Sequence, residues 1–421
     1  MIEPLFSRGR VLLWLGGLAV AIVLPLIFSR GFAVSLLCQM GIMVVFALAY
    51  NMLLGQTGLL SFGHAVYYGF GAFVTMHVLN MVGKGSFPVT LLPLVGGAAG
   101  MAAGILLGYV TTKKAGTTFA MISLGIGEMV AACSLMFPGF FGGEGGVSGN
   151  RVTGKGLLGI SYGSQTEMYY LIAGWAFVCI AAMFAVTQTP LGRMANAVRD
   201  NPERAEFVGY DPQWVRYLMM VLSGFFAGVA GGLTALNYEI VTAETLNAHT
   251  SGVVLLMAFV GGIGFFYGPI IGAILITIMQ IAIGGVTKAW LFYFGLFFLF
   301  MVLYAPGGIA SLLTVQRRLW LARLWWPLLP GYLLVLPAVV VALAGVVVLV
   351  EMGYGLLEQD GAGETTIHLA GMAIDTASGT AWAGAAALMV VGALLVRWTW
   401  GRLEVKWSAA LSELQNPGGA A

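Results

Sequence analysis

The stretch TPLGRMANAVRDNPERAEFVGYDPQWVRY, Thr189 to Tyr217, is a long polar segment of mixed charge set in a chain that is otherwise largely apolar. Its four arginines, Arg193, Arg199, Arg204 and Arg216, are interleaved with four acids, Asp200, Glu203, Glu206 and Asp211. Such a segment enters hydrocarbon only at high cost, so it lies in water. The rest of the chain needs a different solvent. Its 421 residues are 59% hydrophobic and 9% charged, with 61 glycines, too few charges to clothe a soluble globule of this size. Within the polar stretch, Pro202 stands where a short helix begins and Gly209, before Tyr210-Asp211-Pro212, is a reasonable stop. The expectation is a short helix outside the membrane, with a plain solvated loop as the alternative.

Working outward, the apolar runs are long and lack strand alternation, which predicts an all-α, polytopic integral membrane bundle and not a barrel. Expected spans are Val11–Phe28, Phe32–Leu54, Leu59–Met81, Val89–Thr111, Thr117–Phe137, Met168–Thr187, Tyr217–Leu236, Leu291–Ala305, Trp326–Val350 and Ala381–Val396, with a further apolar stretch at Gly252–Ile283. The first run follows Arg8 and Arg10 as a signal peptide would. It is long and lacks a small-x-small cleavage pattern, so it is read as a retained span. The clusters Arg8/Arg10, Lys113/Lys114, the polar stretch, Arg317/Arg318/Arg323 and Arg397/Arg402/Lys406 are placed in the cytoplasm. Pro138–Glu167 then faces outward, as does Glu351–Asp375, which carries five carboxylates and no Lys or Arg. This parity holds only if Gly252–Ile283 enters and leaves by the outer face, as two short pieces hinged near Gly264–Pro269. A comparable break is expected at Gly55-Gln56-Thr57-Gly58. Irregular backbone at membrane depth is tolerated where protein or a watery cavity receives its polar groups, so both breaks point to a permeation path. Close helix packing through glycine is the alternative.

The residues exclude several kinds of chemistry. GNRVTGKG, Gly149–Gly156, has the glycine and lysine spacing of a phosphate-binding loop, but Gly156 replaces the hydroxyl residue that would hold magnesium. It also lies in an expected outward loop. No zinc spacing or nucleophile elbow occurs, and His64, His77, His249 and His368 are scattered, so no catalytic, metal or cofactor site is expected. Cys38, Cys133 and Cys179 read as buried packing residues. The net charge of +2 gives no basis for a nucleic-acid partner. What remains are polar residues within spans. Glu128 and the cluster Gln56, Thr57, Ser61 and His64 are the candidates for a translocation path. Interhelical hydrogen bonding is the alternative role for each.

Taken together, NMLLGQTGLLSFGHAVYYGFGAF (Asn51–Phe73), FAMISLGIGEM (Phe119–Met129), FGGEGGVSG (Phe141–Gly149), LGRMANAVRDNPERAEFVGYD (Leu191–Asp211) and LLMAFVGGIGFFYGPIIGAIL (Leu255–Leu275) resemble the LivM-type permease subunits of bacterial branched-chain amino acid ABC importers. The resemblance runs from about Leu36 to Pro306. It implies an inner-membrane, multi-pass subunit working with a LivH-type partner permease, two cytoplasmic ATPase subunits and a periplasmic substrate-binding protein, in a lipid bilayer and without nucleic acid. It also implies that the cytoplasmic loop, 189–216, is the element coupled to the ATPase, through Arg193, Arg199, Asp200, Glu203, Arg204, Ala205 and Gly209. Cargo is then leucine, isoleucine or valine, with urea or a short amide as the runner-up; a secondary transporter would need more intramembrane carboxylates than Glu128. The expected domains are a permease core at 1–310 and an extension at 311–421 with two further spans, beyond the point where the family's members usually stop.

Overall fold

The computed structural model describes residues 8–28, 30–82, 88–153, 161–358, 366–369, 372–376 and 378–415. The helices are α1 (Arg8–Ile27), α2 (Gly31–Thr57), α3 (Ala65–Val82), α4 (Leu92–Thr111), α5 (Gly116–Met136), a single turn α6 (Pro138–Phe141), α7 (Gln165–Gln188), α8 (Pro190–Asp200) and α9 (Pro202–Phe207). They continue with α10 (Pro212–Tyr238), α11 (Ala248–Gly261), α12 (Gly268–Gly284), α13 (Trp290–Tyr304), α14 (Gly308–Leu321), α15 (Leu329–Glu358) and α16 (Gly379–Gln415). Two short antiparallel pairs complete the described residues, β1 (Val147–Ser148) with β2 (Ile240–Val241), and β3 (Thr366–Leu369) with β4 (Met372–Asp375). Seven helices among the described residues are individually long and apolar enough to cross a membrane. The chain is therefore the polytopic helical membrane protein that its composition requires.

The chain forms two compact units, one of Met1–Ile278 with Met301–Ala310, the other of Met279–Phe300 with Ser311–Ala421. In the first, α10 is the axis, and every residue from Phe226 to Asn237 is buried. It packs on α2, α3 and α4. With no hydrophobic driving force between helices in lipid, close approach of backbones is what stabilises such contacts. Gly228 shows how close: a methyl group there would overlap Gly96 O and lie 3.0 Å from Gly100 Cα, while one at Gly71 would overlap Gly228 itself. Glycine packing and irregular backbone thus occur together in this unit, each at its own positions.

The breaks fall somewhat differently from expectation. α2 runs on through Gly55, Gln56 and Thr57 and ends at Gly58, the left-handed residue (φ 70°) that closes it. Thr57 Oγ bonds back to Leu53 O (2.6 Å), which fits a helical position. The non-helical run is therefore Gly58–His64, and the third helix begins only at Ala65, not at Leu59. The breaker cluster Gly261–Pro269 does separate α11 from α12. Methyl groups at Gly268 and Gly272 would overlap Gly262 O and Met257 O respectively, so α12 starts back along α11 in the opposite sense.

In the second unit, α15 and α16 form an antiparallel hairpin in one register. Gly345 lies against Met389, Gly392 against Ala342 and Gly331 against Leu403. Their 30 and 37 residues exceed the expected spans Trp326–Val350 and Ala381–Val396. α13 and α14, each divided between the two units, form a pair bent by 51° around Pro306, a first-unit residue that lacks the N–H a continuous helix would need.

Candidate functional site

The polar cluster named from sequence sits around the break Gly58–His64, and the structure explains how such backbone is held inside a bundle. Three helices bring side chains to it. Tyr50 of α2 donates its hydroxyl to Ser61 O (3.0 Å), Ser123 Oγ of α5 accepts from Phe62 N–H (3.1 Å), and Ser251 Oγ of α11 accepts from Ala65 N–H (2.9 Å). Backbone groups with no helical partner are thereby satisfied by protein. Gly63 makes the arrangement feasible, because a methyl group there would overlap Ser123 O.

His64 is wholly buried. Its ring stacks on Phe46 (centroids 5.6 Å apart) and meets Tyr50 edge-on (5.1 Å), with Nε2 3.5 Å from Ser223 Oγ. Ser223 itself donates to Ala49 O (2.6 Å). His64 Nδ1, Ser61 Oγ, Gln56 Oε1 and Asn51 Oδ1 are buried without a hydrogen-bond partner among the described residues. Each of these four buried atoms could engage a hydrogen-bonding group of a guest or a moved side chain.

Two of them, on Asn51 and Gln56, line a cavity of about 200 Å³ with Thr187 and Gln188 of α7, Asn196 and Arg199 of α8, and Ile263–Phe266 of the second break. This is below the roughly 300 Å³ at which ligand pockets begin, so it is a joint and not a cargo chamber. The joint is tight. Arg199 donates from its guanidinium to Gly55 O, its stem covers Gly58, and a methyl at Gly55 would lie 2.6 Å from Ile263 O. One arginine of the polar segment thus touches the end of α2 where both breaks meet. A larger cavity, about 800 Å³, lies among α1, α2, α7 and α12. Its walls, including Trp14, Met40, Ile172 and Phe177, are almost wholly apolar and offer little to orient a charged solute.

The polar segment contains two helices where one was expected. α9 is the predicted one, capped by Asn201 Oδ1 accepting from Arg204 N–H (3.0 Å) and closed by Gly209 (φ 91°). α8 precedes it, with Thr189 Oγ1 accepting from Gly192 N–H (3.3 Å) and Pro190 in the first turn. The missed signal was that cap and proline, followed by Leu191, Ala195 and Val198 at helical spacing. Gly192, Ala195, Val198 and Ala205 are buried, whereas Arg193, Arg199, Asp200, Glu203, Arg204 and Gly209 are exposed. Arg199 also pairs with Asp200 (2.9 Å). Phe207 and Val208, 90% and 73% exposed, were passed over in the sequence and are the large apolar surface at the tip of this segment.

Glu128 stands apart from the His64 cluster. Ser123 and Gly127 turn toward residues 62–63, while Glu128 is exposed on the other side of α5, on a stripe with Met121, Gly125 and Ala132. It makes no hydrogen bond or ion pair among the described residues. Of the rejected phosphate-loop match, Gly154, Lys155 and Gly156 lie outside the described residues. Within its described part, Arg151 is buried and donates to Leu236 O and Asn237 O (3.0 Å each), the last turn of α10, and to Tyr162 O (2.8 Å). Among the described residues no group of three His, Cys, Asp or Glu could hold a metal.

Residues 32–306 match the family described as branched-chain amino acid transport system / permease component. The chain is similar to the high-affinity branched-chain amino acid transport system permease protein LivM of Salmonella typhimurium, 25% identical over 323 residues, 72% of this chain and 75% of that protein. It is 26% identical to the LivM of Escherichia coli over the same shares. It is also 24% identical, over 57% of this chain and 76% of the other, to a probable branched-chain amino acid transport permease protein LivH of Methanocaldococcus jannaschii. No solved structure matches.

Proposed function

The chain belongs to the branched-chain amino acid transport system / permease component family, and on that premise we propose that it is the LivM-type membrane subunit of an ATP-driven importer of leucine, isoleucine and valine. Energy comes from separate cytoplasmic ATPase subunits, and a LivH-type permease and a periplasmic binding protein complete the machine. The permease core is 1–310, and 311–421 is an appended module. The end of the bundle bearing α8 and α9 is cytoplasmic, and it receives the ATPase.

The observation that carries this reading is the joint at Arg199. α8 and α9 present Phe207, Val208 and charges of both signs outward, as a hot-spot surface with a polar rim requires. Behind that surface, Arg199 holds the Gly55 carbonyl where the two breaks converge. A push on α9 therefore reaches both irregular segments through one contact. Glu128, a carboxylate exposed partway along an apolar helix, faces the partner permease or the path between the two, since lipid would exact a few kcal/mol.

The test is to make Arg199→Glu and Gly209→Leu separately, confirm membrane levels, and measure co-purification of the ATPase subunits, substrate-stimulated ATP hydrolysis and uptake of labelled leucine, valine and urea. Lost stimulation with retained membrane insertion is expected. If both variants keep assembly, stimulation and uptake, the segment is only a connection; if urea alone is taken up, the cargo assignment fails.

A further inference from the structure

The second unit carries a band of cations and indoles that the transport reading does not use. Leu319, Leu328, Val335, Leu403 and Ala410 form a buried cluster, with Trp325, Tyr332 and Trp407 packed on it. That packing gathers the end of α14, the turn after it, the start of α15 and the last third of α16 at one end of the unit. Around this end stand Arg317, Arg318, Arg323, Arg397, Arg402 and Lys406, all exposed. Six of the eleven tryptophans lie on the same segments, and Trp320, Trp326, Trp398 and Trp400 are each more than half exposed.

The cations are not spent on carboxylates. Among the described residues none of the six is ion-paired, and the acids on these segments are Glu404 and Glu413. Arg402 instead lies over the Trp398 ring at 3.9 Å. Arg323 holds a left-handed conformation (φ 58°) at the close of α14, a position where glycine is usual. Beside the band, Leu312, Leu313, Leu321 and Leu333 are exposed as well.

We propose that this end of the second unit is a binding surface for the anionic phospholipid headgroups of the leaflet that it meets. Guanidinium and ammonium groups reach phosphates, indoles sit at headgroup level, and the flanking leucines meet acyl chains. An acidic protein surface would complement the charges but leave four exposed indoles and the leucines beside them without a matching layer. The proposal is independent of the cargo and of the ATPase contact.

The full chain, purified with its partner subunits in mild detergent, is titrated with acyl-brominated phosphatidylglycerol or acyl-brominated phosphatidylcholine while tryptophan emission is read. Each cation near an anionic surface contributes roughly five-fold, so half-quenching is expected at a phosphatidylglycerol content at least about ten-fold below that of phosphatidylcholine. The quadruple variant Arg317→Gln, Arg318→Gln, Arg402→Gln, Lys406→Gln should lose that preference with an unchanged thermal midpoint. Should it fail to accumulate, the pairs Arg317→Gln/Arg318→Gln and Arg402→Gln/Lys406→Gln are each expected to lose part. Equal quenching by both lipids, or a preference that survives the substitutions, overturns the proposal. So does a variant that sheds the ATPase subunits while keeping the lipid preference, which would assign the band to a protein.

Discussion

The first unit and the α15–α16 hairpin both bring glycines against neighbouring backbone, yet they use the contact for different ends. In the hairpin, Gly331, Gly345 and Gly392 meet their partners along one straight seam, and the flanks stay exposed from end to end. In the first unit, Gly71, Gly96, Gly100 and Gly228 draw three helices together, and within reach of that crossing the chain leaves helical geometry at Gly58–His64. A seam needs only small residues at intervals. A break needs in addition hydroxyls placed by other helices to take its free N–H groups, as Ser123 and Ser251 do. Irregular backbone in a bundle thus comes with enclosure, whereas the described helices of the hairpin need only the seam.

The largest expected effect separates the two regions directly. Gly228→Leu would press a side chain into backbone on more than one side and should cost about 3 kcal/mol or more, at or beyond the upper range of overpacking. Gly384→Leu, which meets open space, should leave the thermal midpoint in detergent unchanged. Equal effects would abolish the contrast. Next, Ser123→Ala and Ser251→Ala each strand a buried N–H and should cost about 1–3 kcal/mol, less than additively in the double variant because both act on one short run. Hydrogen exchange across residues 58–65 would locate the loss. Smaller still, Glu128→Gln keeps shape and removes charge; reduced leucine uptake with unchanged stability is expected, and full uptake would make the residue a neutral packing group. Last, removing residues 330–421 should leave uptake at the level of the full chain while weakening the lipid preference, whereas loss of uptake would show that the hairpin serves the path.

Much of this fold was legible because apolar runs long enough to cross a bilayer report their own helices, and Gly261–Pro269 announced its break. What escaped depended on partners distant in sequence. Nothing local to Ser123 or Ser251 says that their hydroxyls cap a segment 61 and 186 residues away. Gly55 reads as a breaker beside Gly58 until Ile263 O is seen against it, and α8 was hidden because charges mask its short apolar face. The second unit's helices outrun their apolar cores for the opposite reason, since a helix continues where hydropathy falls. Of the candidate site, Gln56, Thr57, Ser61 and His64 flank or lie within one break, whereas Glu128 is on a different face.

Arg151 has a consequence for the order in which the protein can be made. Its guanidinium rests on carbonyls of α10 that lie 85 and 86 residues further along the chain. During synthesis at about 5–20 residues per second, that arginine therefore waits on the order of ten seconds before its acceptors exist. Arg151, made early, gains these two acceptors only when the last turn of α10 is in place. Arg151 thus ties an early part of the chain to one made much later, by hydrogen bonds that need the end of α10 to be present.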